Sequence, residues 1–76
     1  MHGRHVDGSA IRSIREKQGL SRKRLHELSG VAYSWLKAIE LEGRQPSGLK
    51  VWAIARALNV NIDEFSRLLE DEAEAA

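Results

Sequence analysis

Apolar residues recur along this chain at helical spacing, in short blocks divided by glycine, proline and polar residues. Ile11 and Ile14 mark the inner side of a first helix from about Ser9 to Gln18, with Ser9 as its cap and Gly19 ending it. Leu25 and Leu28 form the next block behind a capping Ser21, and Leu36 and Ile39 follow after Gly30. The polar loop Glu42-Gly43-Arg44-Gln45-Pro46 holds the only proline and marks a firm break. Ser47 then caps a fourth segment whose inner stripe is Val51, Ile54, Ala55 and Leu58, and Asn59 suits the left-handed turn beyond it. Asn61 with Glu64 three residues later has the pattern of a capping box. It predicts a fifth helix with Ile62, Phe65 and Leu69 on one side. No strand pattern or internal repeat is visible. The expectation is an all-α, compact five-helix domain over residues 9 to 69. A flexible arm, residues 1 to 8, precedes it, and an acidic tail, residues 70 to 76, follows.

The second and third segments carry the most information. They are short, amphipathic and joined by one tight turn at Gly30. Two helices crossing steeply over such a turn make a helix-turn-helix, whose second helix enters the DNA major groove. With Leu36 and Ile39 facing inward, Tyr33, Ser34, Lys37 and Ala38 fall on the outer side as candidate base contacts. Lysine donates to the O6 and N7 edge of guanine, serine is permissive, and Ala38 offers a methyl to thymine. Tyr33 fits a base edge or, through its hydroxyl, a phosphate. Trp35 stands one turn before Ile39, which favours packing at the helix edge.

Charge sharpens this picture. The 76 residues carry a net +1, but the twelve Lys and Arg all lie within residues 1 to 69 against seven acids, a local +5. Arg12, Arg15, Lys17, Arg22, Lys23 and Arg24 crowd into thirteen residues with only Glu16 opposing them. Such a field suits a polyanion, since phosphate contacts supply most non-specific affinity. Cysteine is absent, so disulfides and thiolate metal sites are excluded. His2, His5 and His26 have no carboxylate or thiol at ligand spacing, so no metal and no cofactor are expected. No nucleophile, base and orienting group are gathered, which argues against an enzyme. No apolar stretch approaches the roughly 20 residues that span a bilayer, and no secretory signal pattern opens the chain. A soluble protein of the cytoplasm, bacterial or of a phage-infected host, is expected.

These residues resemble the Cro and phage-repressor type of helix-turn-helix domain over about residues 9 to 69. The likeness rests on the Leu20-Ser21 start, the turn Gly30, the Glu40-to-Pro46 spacing and the segment Ile54-Ala55-Arg56-Ala57-Leu58-Asn59-Val60, in register. The resemblance implies a lambda-repressor-like fold and sequence-specific binding to duplex DNA, commonly as a dimer on a symmetric operator, without catalysis. It pairs Arg15 with Glu40 as a structural ion pair and assigns Arg22 to phosphate, with Lys23 and Arg44 as the next phosphate candidates. Three positions depart from the pattern: His26 stands where a small residue is usual, Ala32 replaces a capping Ser or Thr, and Gly43 falls one residue late. His26 is expected to tilt outward or widen the helix crossing, and the lost cap to cost about 1 kcal/mol.

A regulator occupying an operator is therefore the leading reading, with a double-stranded DNA partner and no room for a small-molecule sensing domain. Trp52 lies beside the inner stripe of its helix, and Leu68 points away from the Ile62, Phe65 and Leu69 side. Together they are the expected surface of a weak or DNA-induced homodimer. The alternative is an antitoxin or adaptor that uses the same fold to bind a protein.

Overall fold

The computed structural model describes residues 4–68. Strand β1 (Arg4–Val6) leads into α1 (Gly8–Lys17), α2 (Arg22–Ser29), α3 (Tyr33–Glu42) and α4 (Gly48–Leu58). A single 3-10 turn (Ile62–Glu64) and strand β2 (Ser66–Leu68) follow. The described part is thus mostly helical, with four helices instead of five. Asn61 does form the anticipated capping box with Glu64, but the turn it opens lasts three residues. Beyond Phe65 the chain becomes extended to pair with β1, and a segment cannot be strand and helix at once. Leu69 and the acidic tail, with residues 1 to 3, lie outside the described residues.

The expected arm is likewise corrected from Arg4 onward. β1 pairs antiparallel with β2 in the register Arg4↔Leu68, His5↔Arg67, Val6↔Ser66. Val6 is buried in the core, and Asp7 N–H extends the ribbon with a 2.7 Å bond to the Phe65 carbonyl. The other edge of β1 is closed by a side chain. Gln45 Oε1 accepts from Val6 N–H at 2.7 Å while its Nε2 donates to the Val6 carbonyl at 3.0 Å. One amide thereby stands in for a third strand and ties the loop after α3 to the ribbon.

Helix α1 begins one residue earlier than expected because Asp7, not Ser9, caps it, accepting from Ser9 N–H and Ala10 N–H. Gly8 then sits against α3, where an added Cβ would collide with the Ile39 carbonyl. Only glycine permits so close an approach of the two backbones. The core behind this contact joins every helix, with Ile11, Leu25, Leu36, Ile39, Ile54, Leu58 and Phe65 each under 2 % exposed. Full burial of such a side chain contributes about 1.5–3 kcal/mol. The inner stripe Val51, Ile54, Ala55 and Leu58 of α4 is buried as its spacing predicts, whereas Leu28 turns outward and is exposed.

The Asp7 carboxyl is held below its ordinary value of 3.8, first by the Ser9 hydroxyl that donates to it and then by the Ala10 amide. A carboxyl lowered on folding stabilises fully above its unfolded value, and that stability is lost as pH falls through the folded value. Asp7→Ala should therefore lower stability by about 1 kcal/mol near neutral pH. In urea titrations across pH, the gap to the parent should narrow once the pH drops below 3.8. A gap that persists undiminished into strong acid would show that charge adds nothing to this cap.

Candidate nucleic-acid interface

The turn between α2 and α3 sets the direction of everything on α3. Ser21 opens α2 by accepting from Arg24 N–H at 3.0 Å, and Gly30 closes it at φ 75°, a left-handed conformation that glycine adopts without strain. Ala32, at the start of α3, makes no side-chain cap. Two other contacts hold the turn instead. Ser29 Oγ accepts from Val31 N–H at 3.1 Å, and His26 Nδ1 lies 2.7 Å from the Val31 carbonyl. A carbonyl oxygen only accepts, so Nδ1 carries the proton. His26 neither swings out to solvent nor stands idle in the crossing; half-buried, it clips the turn.

The orientation of α3 is locked from its far end by a buried charge cluster. Glu40 accepts from Arg15 Nε and Nη2, both at 2.9 Å, in a two-pronged pair. Arg15 Nη1 reaches onward to the Leu20 carbonyl at 2.7 Å, so the pair links α1, the α1–α2 turn and α3. The Arg15–Glu40 pair implied by the resemblance is therefore present. Arg22 joins it, with Nη2 at 3.2 Å and Nε at 3.3 Å from Glu40 Oε1. Its guanidinium also lies over the Tyr33 ring, 5.9 Å from the centroid. Burial works against the Arg22 charge, but Tyr33 and Glu40 outweigh it and raise the guanidinium above its ordinary value. This residue, expected to reach phosphate, is thus turned inward, with its side chain only 17 % exposed. Its position in the first turn of α2 hid this, because Glu40 is eighteen residues away in sequence.

Tyr33, Ser34 and Lys37 stand exposed on one side of α3, as their spacing predicts, and half-exposed Leu41 extends the row by one turn. Ala38 does not belong with them. It is buried, 6 % exposed, although its helical phase lies beside Ser34 and outside the stripe of Leu36 and Ile39. The helical phase that placed Ala38 outside assumed a narrow apolar stripe. Lys23 and Arg44 are exposed and flank the α3 row in sequence.

Two residues were missed or underread. Trp35 packs its edge against the core, as expected, but it also carries cations: Arg44 Cζ and Lys50 Nζ each lie 4.7 Å from the ring centroid. Lys50 had a legible signal. A lysine in the first turn of a helix opposes the helix dipole, so its presence there calls for another reason. Among the described residues no group of histidine, aspartate and glutamate could hold a metal ion, and no helix is long and apolar enough to cross a membrane.

The buried cluster makes a definite mechanical prediction. Glu40→Ala strands the Arg15 charge away from water and should lower stability by about 3–5 kcal/mol in urea unfolding. Arg22→Ala leaves the two-pronged pair intact and should cost clearly less. Equal losses would show that Glu40 depends on both arginines alike.

Comparison with known proteins fits this geometry. A helix-turn-helix family model matches residues 11–65, from the first core isoleucine to the phenylalanine that closes the core. Among solved structures, the restriction-modification controller C.AhdI from Aeromonas hydrophila is similar at 32% identity and a TM-score of 0.71, over 75% of this chain and 86% of that one. SinR, a master regulator for biofilm formation solved in complex with DNA, is also 32% identical, with a TM-score of 0.69 over 74% of this chain and 90% of its own. The clp gene regulator ClgR from C. glutamicum follows at 26% identity and 0.68, covering 75% and 74% of the two chains. A comparison with curated proteins found no match. With the two-helix element, its turn and its buried lock all in place, the chain belongs to the helix-turn-helix family of Cro- and repressor-like domains.

Proposed function

We propose that this chain is a DNA-binding transcriptional regulator that occupies an operator by laying α3 in the major groove. One observation carries the reading: Tyr33, Ser34 and Lys37 stand exposed on a helix that is held from behind by the core and at its far end by Glu40. A rigidly aimed row of polar side chains is what base recognition requires. The likeness to SinR, solved with DNA, supports it. Lys37 is the residue for a guanine edge, Ser34 is permissive, and Tyr33 reads a base or a neighbouring phosphate. Lys23 and Arg44 neutralise backbone phosphates on either side. Arg22 supports the interface from within by holding Glu40 and Tyr33. Occupation of an operator in the manner of Cro or a phage repressor is the specific form we favour.

Binding should weaken steeply and linearly as log affinity against log salt, because phosphate contacts release counterions. Lys23→Ala should weaken all sequences alike and make that slope shallower by about 1, whereas Lys37→Ala should cost about 1 to 3 kcal/mol at one base position. Affinity that ignores salt, or that is equal for every sequence in a random-site selection, would remove the operator reading.

One α3 reads only a few base pairs, so specificity calls for two copies on half-sites about 34–36 Å apart. We assign the contact between copies to the exposed side of α4, where Trp52 is 60% exposed and Leu49 85% exposed, together with Leu68 of β2. A small apolar contact gives a dimer that is weak in free solution. The same exposed side of α4 would serve an antitoxin or adaptor whose partner is another protein. Stoichiometry on a symmetric operator separates the two. Two copies binding cooperatively, with cooperativity reduced in a folded Trp52→Ala, Leu68→Ser variant, is the expected result. A strict one-to-one complex would exclude the dimer.

A further inference from the structure

Trp35, Arg44 and Lys50 come from three different segments, α3, the following loop and the first turn of α4. Both cations lie on one indole, 4.7 Å from its centroid. Among the described residues, the ion pairs within 4.0 Å involve Arg4, Arg12, Arg15, Arg22 and Arg24, and neither Arg44 nor Lys50 has a carboxylate partner. Two positive charges gathered without an acid repel each other, and Lys50 also opposes the dipole of α4. The fold nevertheless fixes the frame that gathers them. Arg44 N–H bonds the Ala38 carbonyl at 3.2 Å, Gln45 is clamped to Val6 by two hydrogen bonds, and Ser47 accepts from Lys50 N–H at 3.4 Å. The face of an aromatic ring offers partial negative charge without competing for an incoming anion. The ring thus holds both cations while their mutual repulsion remains, and an anionic group that meets both relieves it.

We propose that Trp35 is a positioning residue that holds Arg44 and Lys50 as a preformed clamp for one backbone phosphate of duplex DNA. The inference rests on the DNA-binding reading and adds to it. Arg44 acts jointly with Lys50, and the indole orders both before DNA arrives. Ordering two long side chains in advance removes an entropic cost from binding. The clamp contributes affinity and register but no sequence preference.

The test has two arms, each run on variants whose circular dichroism and melting show a folded domain. In the free protein, the Arg44 and Lys50 side-chain proton resonances should be displaced upfield by the indole ring current. The displacement should persist in part in Trp35→Phe and vanish in Trp35→Leu. In titrations with a short mixed-sequence duplex at several salt concentrations, Trp35→Leu should bind about five- to tenfold more weakly, alike for all sequences. Trp35→Phe, which keeps an aromatic face, should recover most of that loss. The Arg44→Gln, Lys50→Gln double variant tests the cations on the surface, without touching the core. It should lower the salt slope by about 2. Its effect should be smaller when Trp35 is already leucine. Equal losses in the leucine and phenylalanine variants would reduce Trp35 to a packing residue, and additive losses would separate it from the two cations. A parent that binds no duplex at low salt overturns the DNA reading and the clamp with it. A parent that binds while Trp35→Leu matches it overturns the clamp alone.

Discussion

The geometry of the interface depends on one carboxylate. Glu40 lies at the end of α3 most distant from the turn, with its side chain wholly buried, and it is met by Arg15 from α1 and Arg22 from α2. Ionic groups this deep add little net stability, because desolvation consumes most of the attraction. Their value is directional. The two-pronged Arg15 bond fixes rotation of α3 about its own axis, which packing of rounded aliphatic side chains alone fixes poorly. Rotation is the degree of freedom that decides whether Tyr33, Ser34 and Lys37 face outward together. Every buried side-chain nitrogen and oxygen among the described residues has a partner, so this lock is achieved without an orphaned polar group.

At its near end α3 is held differently. A conventional N-cap is lacking at Ala32, and the turn before the helix is held by His26 and Ser29 of the preceding helix, which bond both backbone groups of Val31. The two departures act on different groups: His26 holds the Val31 carbonyl in the turn, while the first-turn N–H groups of α3 receive no side-chain cap.

How much could be read beforehand follows from the range of the interactions involved. The four helices, their caps at Ser21 and Ser47 and the turn glycine are local features, and each was legible in its own neighbourhood. So was the exposed row of α3, from periodicity alone. The Arg15–Glu40 pair spans 25 residues and came only through resemblance. Arg22 was misassigned because a basic residue at a helix start has the same local signature whether it meets phosphate or a buried acid. The ribbon was invisible for a stronger reason: three residues of β1 carry no periodicity, and their partners lie some sixty positions later. The fifth helix failed at the same place, since a sound capping box was overruled by pairing that no local pattern encodes. Periodicity sets Ala38 outside the stripe of Leu36 and Ile39, and its burial is a feature that no local pattern encodes.

The ribbon also has a mechanical sense. Because β1 and β2 run antiparallel with Arg4 opposite Leu68, the chain on either side of the domain leaves from the same end of the ribbon. Tension between those two ends loads the hydrogen bonds one after another, as in opening a zipper, and never all at once in shear. The fastener is therefore soft to pulling, while the helical body behind it, held by core and charge lock, feels the load only after the ribbon has parted. A segment attached at either end is moored at one spot on the domain, and its tugging is absorbed there before it reaches α3.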